Sequence, residues 1–271
     1  MRDIPIAMVD HTPRPIVALG RLYPDGFLID PHEHRRGQLL SAASGLVVLT
    51  TTNGTWVMPP QRGMWIPPRT VHAVRMVGAV EMQSLYLDPD AVPGMPDRLQ
   101  VLGISTFVRS LLAEAIDLPL EYDLAGRGGA LMQLIQHEVG ELPALPLSLQ
   151  YPAAGELADR CRAFVLKPDI HATIDPWAEA VGMSRRTFTR FFRRETGLSF
   201  RSWCQQACLL AAIPRIAAGE AVTAVAIDLG YENPAAFTSM FKSTFGYPPL
   251  EYLGLRGSRT AGRMVSARIN D

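Results

Sequence analysis

The sequence predicts an α+β protein: a small N-terminal β-barrel followed by two helices, then an all-α C-terminal domain with two helix-turn-helix motifs. Three observations carry this. Short β-branched and aromatic runs punctuated by Gly and Pro fill residues 1 to about 90, apolar residues recur at helical spacing from about 98, and one helix-turn-helix pattern occurs twice in the second half. The implied division is a barrel over 1–97, a helical segment over 98–141, a connection over 142–155, the helical domain over 156–256 and a tail over 257–271.

Composition bounds the rest. At 271 residues the chain has room for two domains, each with its own core. Apolar residues make up 48% and charged residues 19%, which fits a globular and not a disordered chain. No stretch approaches the ~20 uninterrupted apolar residues of a membrane span, so no membrane partner is expected. The opening "MRDIPIAMVDHTPRP" has Asp3 and early prolines where a secretory signal needs an apolar core. Cys161, Cys204 and Cys208 form no disulfide framework, so the cytoplasm is the expected compartment. Cys204 and Cys208 are one helical turn apart and read as core residues. The 26 basic and 26 acidic residues cancel, which excludes an indiscriminate polyanion binder. The average conceals a cluster: Arg185, Arg186, Arg190, Arg193, Arg194 and Arg201 are opposed only by Glu195.

The β region divides as follows. "GLVVLTTTNGTWVMPP" is a hairpin with its turn at Asn53-Gly54, "MWIPPRTVHAVRMV" resumes around Pro67-Pro68, and "AVEMQSLYLD" closes the region. "STFVRSLLAEAI" then spaces Phe107, Leu111, Leu112 and Ala115 on one helix face, and "GGALMQLIQHEVGEL" does so with Leu131, Leu134, Ile135 and Val139. These stripes can pack on the barrel, on each other or on a second subunit. His137 among them reads as an ordinary exposed residue. "LPALPLSLQYPAAG" is rich in proline and reads as an extended connection.

In "TIDPWAEAVGMSRRTFTRFFRRETGLSF", Asp175-Pro176 reads as a cap and first turn, with Ala178 and Val181 facing inward. Gly182 permits the turn, Ser184 caps a second helix, and Phe188, Phe191 and Phe192 point to a core. Arg185, Arg186, Thr189, Arg190 and Arg193 stay on the open face, a set of donors suited to phosphates and guanine edges. "VTAVAIDLGYENPAAFTSMFKSTFGYPP" repeats the device, with Ala226, Gly230, the Asn233 cap, Phe237 and Phe241 in the matching roles. The caps lie 49 residues apart, and "FRSWCQQACLLAAIPRIAAG" supplies a connecting helix.

From about 160 to 253 the chain resembles the DNA-binding domain of the AraC/XylS transcriptional regulators, on "AEAVGMSRRTFTRFFRRETGLSFRSW" and "VTAVAIDLGYENPAAFTSMFKSTFGYPPLEY". The first half, with "HEHRRGQL" and "GTWVMPPQRGMWIPPRTVH", resembles the cupin sensor domain of the NimR-like branch. The resemblance implies two recognition helices in neighbouring major-groove segments of operator DNA, a small-molecule effector, a homodimer, and RNA polymerase as a further partner. At matching positions Arg186, Thr189 and Arg190 would read bases, and Arg185 and Arg193 would hold phosphates. In the second copy Ala236 and Ser239 stand outward, with Thr238 and Lys242 beside them. Ser239 replaces the long, charged reader common in the family, which assigns the second helix to positioning. Cys208 stands where the family leads one to expect Arg, so no backbone contact follows from that place.

The cupin signature fits Gly26, His32, His34, Gln38 and Gly45 in spacing, with Gln38 in place of its Glu, and continues to Pro67 and His72. Arg69 takes the place of its usual glycine and Met76 that of its terminal Asn. Alternate strand residues share a side, so His32 and His34 face the interior together and Glu33 turns away. His72 completes a triad that suits a divalent metal, with Gln38 a weak fourth ligand, or that lines an organic effector pocket. No other cofactor is implied. Two functions compete: a sequence-specific transcription regulator with a barrel that senses a small molecule or metal, and a cupin metalloenzyme of dioxygenase or isomerase type with an accessory helical domain. No general base accompanies the triad and the duplicated motif has no catalytic use, so the regulator, not an enzyme, is the expectation.

Overall fold

The computed structural model describes residues 6–60, 62–145, 147–152 and 155–255; the expected tail at 257–271 lies outside them. A short helix, α1 (Ile6–His11), precedes the strands where the sequence reads as β from the start. Six strands follow: β1 (Ile16–Tyr23), β2 (Leu28–His32), β3 (Gly37–Thr51), β4 (Gly54–Met58), β5 (Arg62–Ile66) and β6 (His72–Leu87). The β3–β4 hairpin closes on the Thr51–Gly54 pair, around the turn the sequence marks.

β3 and β6 are long because each serves two layers. Their ladder breaks register between Ala42 and Leu46, where Gly45 and Gly78 adopt φ of +70° and +74°. A Cβ on Gly45 would lie 2.6 Å from the Ala79 carbonyl oxygen, so this bend requires glycine. Beyond the bend, the first half of β3 pairs with β5 and with the part of β6 that carries β1. The second half pairs with β4 and with the part of β6 that carries β2. Every pairing is antiparallel.

The sequence predicts a closed barrel; the sheet is open. β1 and β2 both pair with β6 and not with each other, because the bend in β6 sends its two halves into different layers. Cavity-lining side chains occupy the space between them. The expected helical onset near 98 is also late, since β7 (Gln100–Gly103) adds to β5. The connection at 142–155 is extended, as its prolines imply, but it is built into the sheet: β8 (Ala144–Leu145) pairs with β7, and β9 (Ser148–Gln150) pairs with β4. Such short strands show no period to read.

α2 (Thr106–Ala115) and α3 (Arg127–Gly140) pack on the β1 layer. They bury Val108, Leu111, Leu112 and Ala115, and Met132, Ile135 and Val139. Phe107 and Leu134, placed on the buried stripes by spacing, are 51% and 39% exposed.

The helical domain consists of α4 (Glu156–Leu166), α5 (Asp175–Ala180), α6 (Arg185–Thr196), α7 (Phe200–Ala217), α8 (Val222–Asp228), α9 (Pro234–Phe245) and α10 (Pro249–Tyr252). α7 is its axis and buries Trp203, Cys204, Ala207, Cys208 and Ile213. Burial pushes the Cys161, Cys204 and Cys208 thiols up to about 12, so these are inert core residues. Ile174, not Asp175, holds the cap position of α5; Asp175 lies inside the helix, with its carboxylate 3.5 Å from Arg185.

The two domains meet on one layer of the sheet. Ile29, Val74, Leu49, Trp56 and Ser148 form a single cross-strand row through β2, β6, β3, β4 and β9. Ile29 and Val74 line an inner cavity, so the row faces inward. Their chain neighbours Val48, Arg75, Val57 and Leu149 face the opposite way, onto α4 and α7. At the edge of this wall, Trp203 Nε1 donates to the Gln150 carbonyl at 2.8 Å, and Gln206 Nε2 to the Ser148 carbonyl at 2.5 Å.

Candidate functional site

Two sites emerge, one on each domain. The first is the outer face of α6. Ser184 Oγ accepts from the Thr187 N–H at 3.3 Å and fixes the start of the helix. Phe188 and Phe192 are fully buried against Phe200 and Trp203 and fix its rotation. Ser184, Arg185, Arg186, Thr189, Arg190 and Arg193 are all left exposed, as the spacing predicts. Among the described residues no ion pair engages Arg186, Arg190 or Arg193. Phe191 is only half-buried, and Arg194 lies 5.0 Å from its ring centre. A row of unpaired guanidinium groups on a rigid helix is an electrostatic and hydrogen-bonding surface for phosphates and base edges.

α9 repeats the scaffold. Asn233 Oδ1 accepts from the Ala235 N–H at 2.8 Å, and Phe237 and Phe241 are fully buried. Asn233, Ala236, Ser239 and Lys242 are exposed; Thr238 is half-buried and donates to the Pro234 carbonyl. Counted from the caps, Ser239 stands opposite Arg190, and Ala235 rather than Ala236 opposite Arg186. The turn before the cap is one residue longer than in the first copy, since Gly230 precedes Asn233 by three positions and Gly182 precedes Ser184 by two.

The second site is a cavity of about 300 Å³ between the layers, bounded by β1, β2, β3 and β6. His32, Gln38 and His72 line it with Tyr23, Ser84, Tyr86 and an apolar wall that includes Leu40 and Met82. His34 stands behind, in the turn after β2 and not on the strand, 5.4 Å from the Tyr86 ring. It reaches inward because its carbonyl accepts from the Arg69 N–H at 2.8 Å, which ties its turn to the turn before β6. Arg69 has φ of +57°, so the place where the cupin signature has glycine keeps a left-handed backbone under an Arg side chain.

A ring nitrogen that meets a carbonyl must donate, because the carbonyl only accepts. His72 Nδ1 donates to the Thr70 carbonyl at 2.7 Å, His32 Nδ1 to that of Asp30 at 2.9 Å, and His34 Nδ1 to that of Arg36 at 2.5 Å. Nε2 of the neutral His72 ring therefore bears a lone pair. His34 Nε2 faces a second acceptor, Gln38 Oε1 at 3.0 Å, while Gln38 Nε2 donates to Ser84 Oγ and the Tyr86 hydroxyl. His72 Nε2 is buried and has no partner among the described residues. Burial holds His72 down to about 4, so that ring is neutral at pH 7; burial also lowers His34 and pushes the Tyr86 phenol upward.

Ring centres are 4.3 Å apart for His32–His72, 5.3 Å for His34–His72 and 6.2 Å for His32–His34. The sequence thus brings the three rings and Gln38 together. Even so, no group of three or more His, Cys, Asp or Glu among the described residues is arranged to hold a metal ion. Glu33 is exposed as expected, but from the turn after β2 and not by alternation along a strand.

Two contributors escaped the sequence reading. Tyr86 shares an inward face with Met82 and Ser84, and the alternation in "EMQSLYLD" is the signal that marks it. Arg36 gives no signal: a buried cation, it donates to the carbonyls of Thr12, Arg14 and Pro15 while its own carbonyl holds His34.

Comparison with known proteins follows the same division. A model of the AraC-like ligand-binding domain matches residues 14–150, and a helix-turn-helix domain model matches residues 177–254. The chain is 32% identical to the HTH-type transcriptional regulator NimR of Escherichia coli K12 over 222 residues, which cover 82% of this chain and 81% of that protein. It is 24% identical to the HTH-type regulator YobQ of Bacillus subtilis over 83% of this chain and 89% of that one. Among solved structures, fatty-acid-bound ToxT of Vibrio cholerae matches 89% of this chain and 95% of its own at 10% identity, with a TM-score of 0.37. No helix among the described residues is long and apolar enough to cross a membrane. With a ligand-binding sheet domain and a double helix-turn-helix matched over most of its length, the chain belongs to the AraC family of DNA-binding transcription regulators.

Proposed function

We propose that the protein reads a specific operator in double-stranded DNA through α6, and that a small molecule in the inner cavity sets its affinity for that operator. The observation that carries the first part is the unpaired, exposed Arg186–Arg190–Arg193 face on a helix fixed by its cap and two buried phenylalanines. Arg186, Thr189 and Arg190 read base edges, Arg185 and Arg193 hold phosphates, and α9 positions the second half of the domain through Thr238 and Lys242 beside Ala236 and Ser239. Selection from a random duplex library tests this: two enriched elements about one helical turn apart are expected, and no enrichment overturns it.

The second part rests on the shared wall. Ligand contacts at Ile29 and Val74 sit in the row that ends at Ser148, whose carbonyl holds α7; Trp203 of α7 in turn supports Phe192 of α6. A ligand that repacks the row changes how α6 is held. Exposed Phe107 and Leu134 on α2 and α3 support a homodimer through that face, and sedimentation as a monomer at micromolar concentration overturns it. A regulator docked beside a promoter works in the cytoplasm and meets RNA polymerase there. The cavity is lined by no Asp or Glu among the described residues, which supports binding over catalysis.

A divalent metal at His32, His34 and His72 is the second reading. The unpartnered Nε2 lone pair of His72 supports it; the placement of the rings does not, and His34 Nε2 is turned onto Gln38 Oε1. Elemental analysis of unchelated protein decides: one equivalent lost in a His32→Ala/His34→Ala variant establishes the metal, and none in either removes it.

A further inference from the structure

The inner cavity is built around one unanswered atom. His72 is 1% exposed, and its Nε2 has no hydrogen-bond partner among the described residues. Its Nδ1–H is committed to the Thr70 carbonyl at 2.7 Å, so Nε2 offers only a lone pair. A buried acceptor left unpaired bears its full desolvation cost, which a ligand recovers by supplying a donor there. Water is one such donor, but the rest of the lining favours something larger. Leu19, Ile29, Leu40, Val74 and Met82 make an aliphatic side to a space of about 300 Å³, enough for a molecule of drug-fragment size.

Charge is disfavoured in both signs at that depth. No carboxylate among the described residues lines the cavity to pair with a cation, and a lone pair facing inward repels an anionic oxygen. Arg21 reaches the cavity from β1, where its guanidinium lies 5.5 Å from the Tyr23 ring centre.

We infer that the effector is a compact, uncharged, largely apolar molecule with a hydroxyl or N–H group that donates a hydrogen bond to Nε2 of His72. The inference rests on the effector reading above and names its chemistry. A site that demands a donor rejects the isostere without one far more strongly than an apolar pocket rejects a methyl group.

The test uses the full chain and two probes of similar shape, 4-methylphenol and 4-methylanisole. In the free protein, nitrogen NMR of the histidine rings is expected to show His72 as the Nδ1–H tautomer. 4-Methylphenol is expected to move the Nε2 resonance and to bind at least tenfold more tightly than 4-methylanisole. His72→Leu is expected to abolish that preference while the far-UV circular dichroism spectrum and a cooperative thermal transition, which report folding, persist. An Nε2–H tautomer in the free protein overturns the inference whether or not the variant folds. So does equal affinity for the pair, or binding of neither. One equivalent of zinc that shifts all three histidine rings and excludes the phenol overturns it in favour of the metal. Operator binding is read separately on the free protein: its failure refutes the regulator reading and leaves the phenol comparison intact.

Discussion

Helices α6 and α9 are each twelve residues long, begin at a polar cap, bury a pair of phenylalanines one turn apart, and end at a glycine with positive φ. The ring pairs are 5.4 Å apart in α6 and 5.9 Å in α9. The glycine N–H donates to the Arg193 carbonyl in one and to that of Lys242 in the other. Toward solvent the two diverge: Arg186 and Arg190 on α6 face Ala235 and Ser239 at the equivalent places on α9. The inward half of the pattern is what makes the motif; the outward half is free to carry information. On the function proposed above, one copy carries it and the other supplies geometry.

The largest effect should fall equally on both. Phe192→Ala and Phe241→Ala each remove a fully buried ring, for a loss of about 3–5 kcal/mol in urea unfolding. A much smaller loss in one would break the equivalence of the scaffolds. Next comes the divergence. Arg190→Ala should weaken binding to the selected operator by about 1–3 kcal/mol and leave random DNA nearly untouched, while Ser239→Ala should change neither within a factor of about two. Equal loss on both DNAs would make Arg190 a phosphate contact. Ser184→Ala and Asn233→Ala should each cost about 1 kcal/mol of stability, since each cap answers one helix N–H. The smallest effect is in salt dependence. Arg193→Ala and Lys242→Ala, at equivalent exposed places, should each lower the slope of log K against log salt by about 0.9, provided both touch the backbone. An unchanged slope for Lys242→Ala would take α9 off the DNA.

This comparison also shows what the sequence holds and what it does not. Caps, αL glycines and aromatic spacing are local, so both recognition helices could be read from residue types at fixed offsets. The histidine triad was legible for a similar reason: strand alternation and turn residues aim His32 and His72 without reference to distant contacts. His34 reached the same place by another route, through the Arg69 N–H, which no spacing rule encodes. Closure of the sheet was not legible, because it depends on whether β1 and β2 meet, and that is decided by a bend at Gly45 and Gly78. The same holds for Phe107 and Leu134. A 3.6-residue period marks an apolar stripe but not its edges, and both lie at the edge. Arg36 lay beyond any pattern: a buried guanidinium whose terminal nitrogens reach three backbone carbonyls looks, in sequence, like any surface arginine.

Val74 lines the inner cavity and Arg75, its neighbour, faces α4 and α7. The same holds along β3 and β4, where Leu49 and Trp56 point one way and Val48 and Val57 the other. Odd and even positions of single strands thus belong to different tasks, separated by a rise of about 3.3 Å. Substitutions at inward positions alter the cavity lining and those at outward positions alter the seat of the helices; the two surfaces meet where the inward row ends at Ser148, whose carbonyl holds α7. The two surfaces are interleaved in the gene, so a lineage can reshape the cavity and keep the helix seat by altering every second codon of a few short strands.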